Sequence, residues 1–100
     1  MKNNPSIENI RQAIEKVMHP AIDRSLTDLG MIKDIALKGV NASLTLVIPF
    51  PGIPILPFLE KSLKESVSKT GVNLEIKIEN MNQDEIQRFL AMEKEAWKGL

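Results

Sequence analysis

The stretch Ala42-Ser43-Leu44-Thr45-Leu46-Val47-Ile48 decides the fold class of this protein. Ala42, Leu44, Leu46 and Ile48 alternate with Ser43, Thr45 and Val47, and a period of two marks a half-buried strand. Just upstream, Met31 to Lys38 carries Ile35 and Leu37 in the same alternation, and Gly39-Val40-Asn41 supplies a short connection. The two runs read as an antiparallel hairpin. Further downstream, Val72, Leu74, Ile76 and Ile78 alternate with Asn73, Glu75, Lys77 and Glu79, which predicts a third strand.

Helical spacing fills the gaps around these strands. Asn4-Pro5-Ser6 reads as a helix start, with Asn as cap and Pro at the first helical position. Ile7, Ile10, Ile14 and Val17 then form an apolar stripe, and Pro20 is expected to stop the helix. Asp23 to Gly30 follows as a short turn or a single helical turn. Pro49, Pro51, Pro54 and Pro57 forbid regular pairing after the hairpin, so a stiff apolar loop is expected there. A second helix should start near Pro57, burying Leu59, Leu63 and Val67 and ending at Gly71. On its wet side Glu60–Lys64 and Glu65–Lys69 are spaced for ion pairs. Finally, Asn82 and Glu85 suggest a capping box, and Ile86, Phe89, Leu90 and Trp97 mark one face of a third helix. The expected architecture is α+β: a two-layer αββαβ domain over residues 1–80 with a small three-stranded mixed sheet. Residues 81–100 add a C-terminal amphipathic helix, as a packed extension or a linker.

Composition narrows the function. The chain has 100 residues, 43% hydrophobic and 26% charged, ordinary values for one folded domain. Lys plus Arg and Asp plus Glu both number 13, so the formal charge is zero. Nucleic acid and a polybasic membrane contact both need a basic excess, so neither is expected as a partner. Cysteine is absent, which removes disulfides, thiol nucleophiles and thiolate ligation of zinc or iron–sulfur clusters within this chain. No cofactor is expected. Without a signal-peptide pattern or a long apolar run, the cytoplasm is the expected compartment.

The run Asp28-Leu29-Gly30-Met31-Ile32-Lys33-Asp34-Ile35, then Leu44-Thr45-Leu46, then Pro51-Gly52-Ile53-Pro54, resembles a known family pattern. It is similar to the small metal–sulfur (iron–sulfur) cluster assembly domain, domain of unknown function fifty-nine. That domain is found in PaaD-like and SufT-like proteins and at the N-terminus of Mrp/ApbC-type P-loop ATPases. The resemblance spans roughly residues 7 to 79. It implies the αββαβ fold, a part in maturing iron–sulfur proteins, and Pro20, Asp28, Leu29, Gly30, Pro51, Gly52, Ile53 and Pro54 as family-motif positions. The chain also departs from the pattern. Family members usually carry Asp-Pro-Glu where His19-Pro20-Ala21 stands, and Thr-x-Pro-Gly-Cys-Pro where Pro49-Phe50-Pro51-Gly52-Ile53-Pro54 stands. The turn-forming residues remain, while the acids, the hydroxyl and the thiol are gone. A hydrocarbon such as Ile53 has no donor atom for iron.

His19 is the single histidine, and a place in the charge balance of a helix end is preferred for it over a ligand or acid–base role. Asp28 is expected to accept backbone hydrogen bonds in its turn. Phe50, Ile53 and Ile55 either cap the core or form a rigid interaction patch, and both readings stand. Phe89 and Trp97 are read first as a helix packed on the open face of the sheet and second as a docking surface. No nucleophile or acid–base pair is in evidence, so catalysis is not expected. The favoured function is a non-catalytic adaptor or accessory domain in iron–sulfur cluster assembly, with assembly factors, a Mrp-like ATPase or a second copy as partners. The alternative is a drifted interaction or oligomerisation module with no cluster role.

Overall fold

The computed structural model describes residues 6–98. Its elements run α1 (Ile7–Glu15), β1 (Ile32–Lys38), β2 (Asn41–Ile48), α2 (Leu56–Ser68), β3 (Asn73–Asn80) and α3 (Gln83–Ala96). The sheet order is β1-β2-β3, antiparallel between β1 and β2 and parallel between β2 and β3. The expected α+β architecture with a mixed three-stranded sheet is therefore observed. A parallel pair needs a crossover connection, and α2 provides it.

The central place of β2 changes its burial. Ala42, Leu44, Leu46 and Ile48 face the helices, as the alternation predicts, but Thr45 and Val47 on the opposite face are buried too. The strand is not half-buried, because neighbours on both sides reach over it. Lys33 lies opposite Thr45 on β1 and Glu79 opposite Val47 on β3, and their side chains meet at 2.8 Å. This ion pair arches over β2, and its aliphatic stems shield the two residues beneath. The Glu60–Lys64 and Glu65–Lys69 pairs expected on α2 are not formed among the described residues. Exposed lysine and glutamate gain little from pairing in water, so those side chains stay solvated.

β1 contains a feature that alternation did not announce. Its register shifts between Lys33 and Ala36, and Asp34 sits there at φ +56°. The extra residue lets Ile32 and Leu37, five positions apart, share one face opposite Leu46 and Ala42. Without the bulge one of the two would point to solvent.

The helix ends show local chemistry. Ser6 caps α1, its hydroxyl accepting the Asn9 N–H at 3.1 Å; Asn4 and Pro5, where the start was expected, lie outside the described residues, as do Gly99 and Leu100. α1 ends at Glu15, well before Pro20, because the chain turns to pair with itself: Leu26 N–H donates to the Val17 carbonyl and His19 N–H to that of Arg24, both at 3.0 Å. Ile10, Ile14, Leu59, Leu63 and Val67 are fully buried, and Ser66 Oγ donates to the Ala13 carbonyl at 2.6 Å, tying α2 to α1. Gly71, at φ +86°, turns the chain from α2 into β3 as a residue with a Cβ would not readily do. α3 opens with the capping box: Asn82 Oδ1 accepts the Glu85 N–H at 2.8 Å and Glu85 Oε1 accepts the Asn82 N–H at 2.9 Å.

α3 does not lie along the open face of the sheet. Its end is stitched to the segment after α1, with Asp23 N–H donating to the Ala96 carbonyl at 2.8 Å and Lys98 N–H to that of Ala21 at 3.1 Å. Much of the open face is charged, with Lys33, Glu75, Lys77 and Glu79, and offers no apolar seat there. His19 and Ile22 offer one instead, both buried, with the His19 and Phe89 rings 6.4 Å apart.

Candidate functional site

Where the end of β2, the proline-rich loop and α3 meet, the chain leaves a groove of about 250 Å³. One wall is the loop: Pro49, Phe50, Ile53, Pro54 and Ile55. The prolines restrict the backbone of this wall, which runs as successive bends and turns, and Gly52 turns it at φ +72°, a region open to glycine without strain. The second wall is α3 with its C-cap, where Phe89, Glu93 and Trp97 recur every four residues and line one side. The floor holds His19, Ala21 and Met31.

All the side chains expected to meet a partner, Phe50, Ile53, Ile55, Phe89 and Trp97, converge here. They differ in depth. Phe89 is buried, Ile53 and Ile55 are half-buried, while Phe50 and Trp97 expose 51% and 48% of their surface. The loop thus does both things that the sequence left open, packing Ile53 and Ile55 on the core and leaving Phe50 in water. Phe89 likewise anchors α3, and Trp97 stands on the rim.

His19 is the polar atom source on the floor. Its Nδ1 accepts the Ala21 N–H at 3.0 Å, which places the proton of the neutral ring on Nε2. Burial, seconded by the nearby Lys98 ammonium, lowers its pKa from the ordinary 6.5, so the ring is neutral near pH 7. It does not serve a helix C-terminus as an imidazolium, since α1 ends earlier.

The family-motif positions divide between two places. Pro20 sits between groove-lining His19 and Ala21, Ile53 and Pro54 line the groove, and Pro51 and Gly52 form the exposed tip of its loop. Leu29 is in the core. Asp28 and Gly30 lie elsewhere, in a small concavity with Glu85 and Arg88 of α3. Asp28 is not the acceptor that holds its turn together. Its own N–H donates to Ser25 Oγ at 3.0 Å, the residue is exposed, and its carboxylate accepts no hydrogen bond among the described residues. The Ser25-x-x-Asp28 spacing is the sequence signal for this cap. Glu93, not singled out from sequence, is signalled by its place midway between Phe89 and Trp97.

A larger cleft between α1 and α2, about 580 Å³, is lined mostly by solvated polar chains such as Gln12, Lys16, Glu65 and Lys69. Its size reflects open solvent between two helix shoulders, and nothing in it converges, so the apolar groove is the better candidate. As a seat for an iron–sulfur cluster, however, the groove does not fit: the chain has no cysteine, and its floor presents one imidazole beside hydrocarbon. Among the described residues no three His, Asp or Glu side chains gather in metal-binding reach.

Comparisons with known proteins agree with the fold. The chain is 33% identical over 54 residues to an iron–sulfur cluster carrier protein of Synechocystis sp. (strain ATCC 27184 / PCC 6803 / Kazusa), a match over 54% of this chain and 15% of that protein. This chain therefore spans a small part of that relative's length. In fold it is similar to a crystal structure of a domain of unknown function (the fifty-ninth such domain) from Bacillus anthracis, with TM-score 0.62 at 20% identity, covering 84% of this chain and 88% of that one. The family model described as "Iron-sulfur cluster assembly protein" matches residues 7–79, from the start of α1 to one residue short of the end of β3, and the chain belongs to that family.

Proposed function

We propose that this protein is a non-catalytic accessory factor of iron–sulfur cluster assembly, working in the cytoplasm by holding other assembly proteins in its apolar groove. One observation carries the reading. The positions where the family pattern has two acids, a hydroxyl and a thiol are here His19, Ala21, Pro49 and Ile53, and all of them line a single groove with Phe89 and Trp97. In this reading the groove surrounds one imidazole and one carboxylate with hydrocarbon and takes up a protein surface rather than a cluster. A rigid loop with a half-exposed Phe50 opposite a half-exposed Trp97 suits a protein anchor, since aromatic residues in partly desolvated pockets dominate binding energy. In this reading residues 1–80 are the family domain, residues 81–100 add the second wall, and the occupants are assembly factors, a Mrp-like ATPase or iron–sulfur client proteins.

The test is co-purification of tagged wild type, Ile53→Asp and Trp97→Glu from the native host, with partners identified by mass spectrometry. Cluster-assembly proteins are expected with wild type and lost with both variants. Retention of the same partners by the variants would remove the groove from the account. A partner set lacking every assembly factor, ATPase and iron–sulfur client would favour the second reading, a drifted interaction module without a cluster role. The missing thiol is the observation that favours that second reading. Anaerobic incubation with iron, sulfide and a cysteine-bearing partner separates the two further, since visible absorbance developing only in the mixture supports the assembly role.

A further inference from the structure

The two edges of the sheet are unlike each other. β1 is broken by its bulge and by the left-handed Asp34, a device that makes an edge a poor template for another strand. β3 has neither bulge nor proline over Asn73–Asn80, and among the described residues it pairs on one side only, with β2. Its free groups can be assigned. Asn73 N–H donates to the Val40 carbonyl at 2.9 Å and Met81 N–H to that of Ile48 at 2.8 Å, at the two ends of the ladder. Amides alternate sides along a strand, so the odd-numbered residues bond to β2 and Leu74, Ile76 and Ile78 turn their N–H and C=O groups outward.

We propose that this free edge of β3 pairs antiparallel with β3 of a second copy, Ile76 facing Ile76 across a two-fold axis. The charge sequence selects that register. With Ile76 on the axis, Glu75 of each copy lies opposite Lys77 of the other, giving two opposite-charge pairs on the open face. Moving one residue along places Lys77 against Lys77 and Glu75 against Glu79, a fully repulsive face. Moving one residue the other way sets Glu75 against Glu75. The favoured register also makes Ile76–Ile76 and the two Leu74–Ile78 contacts hydrogen-bonded pairs, each exchanging two N–H···O bonds, about six in all. Glu75–Lys77 then falls at the non-hydrogen-bonded positions, where side chains approach most closely. On the helix side, Leu74 and Ile76 are half-buried and Ile78 is 40% exposed in one copy, so pairing covers apolar surface as well. The product is a closed, isologous dimer with one continuous sheet and two apolar grooves.

Charge exchange at Glu75 and Lys77 tests this, because both residues are exposed and their replacement leaves the core intact. In sedimentation equilibrium at low ionic strength, wild type is expected to dimerise. Glu75→Lys and Lys77→Glu are each expected to weaken the dimer on the order of tenfold or more, since two attractive pairs become repulsive. Mixing the two variants should restore a heterodimer, because a lysine then faces a glutamate at both cross-strand positions. Glu79→Lys should leave the dimer in place, because Glu79 faces Asn73. A wild type that stays monomeric to millimolar concentration would overturn the proposal. So would a dimer insensitive to Glu75→Lys, failure of the mixture to associate, or a dimer lost on Glu79→Lys, each of which points to another surface or register.

Discussion

Replacing Phe89 by alanine asks whether α3 is part of the folded body. The ring is only 4% exposed and lies 6.4 Å from the His19 ring, so the substitution removes a nearly complete aromatic burial. Phe→Ala in a core costs about 3–5 kcal/mol. The groove beside this site opens to water and can partly refill, which places the expected loss at about 3 kcal/mol, the lower end. A domain of this size has an unfolding entropy of roughly 0.2 kcal/mol/K, so Tm should fall by about 15 °C. Against a total stability of about 5–15 kcal/mol the variant still folds at room temperature. Leu90→Ala is the matched control, next in sequence but 41% exposed, and should cost less than about 1 kcal/mol. Urea and thermal unfolding followed by far-ultraviolet circular dichroism measure both. If Phe89→Ala costs no more than Leu90→Ala, α3 is not seated through Phe89, and the groove has lost its second wall.

Two more outcomes follow from single residues. The lowered pKa of His19 means that the unfolded chain binds a proton more readily than the folded one, so stability holds above pH 6.5 and is lost as pH falls from 6.5 through the folded value. His19→Gln should flatten that loss between about pH 7 and 5 in urea titrations; an unchanged slope would exclude His19 as its source. At the bulge, Asp34→Gly should be neutral or slightly stabilising, whereas Asp34→Val forces a β-branched residue to φ +56° and should cost roughly 1–2 kcal/mol. Equal stability of these two variants would mean that β1 runs without its left-handed residue.

What could be read from the sequence was whatever depends on near neighbours. The runs that become β2 and β3, the Leu59, Leu63 and Val67 stripe and the Asn82–Glu85 cap all rest on contacts within one element or turn, and these elements form where expected. The burial of Thr45 and Val47 could not be read this way, because it follows from β2 being central and from Lys33 and Glu79 meeting above it. Asp34 is compatible with an extended strand, and only the demand that Ile32 and Leu37 share a face calls for the bulge. The seat of α3 was likewise non-local. Its apolar face was visible, but that it meets His19 and Ile22 depends on where the chain passes after α1. The groove residues stood out individually, as aliphatic and aromatic side chains among prolines and on a helix. Their convergence, with Phe50 and Trp97 on opposite rims, is a property of the tertiary structure.

Trp97 has a practical consequence. It is the chain's one tryptophan, there is no tyrosine, and 48% of its surface remains exposed at the groove's rim. Indole emission shifts to the blue when water is displaced from the ring. Any molecule that settles between Phe50 and Trp97 will therefore report its own arrival in the protein's intrinsic fluorescence, with no label attached. The candidate site carries its own optical gauge.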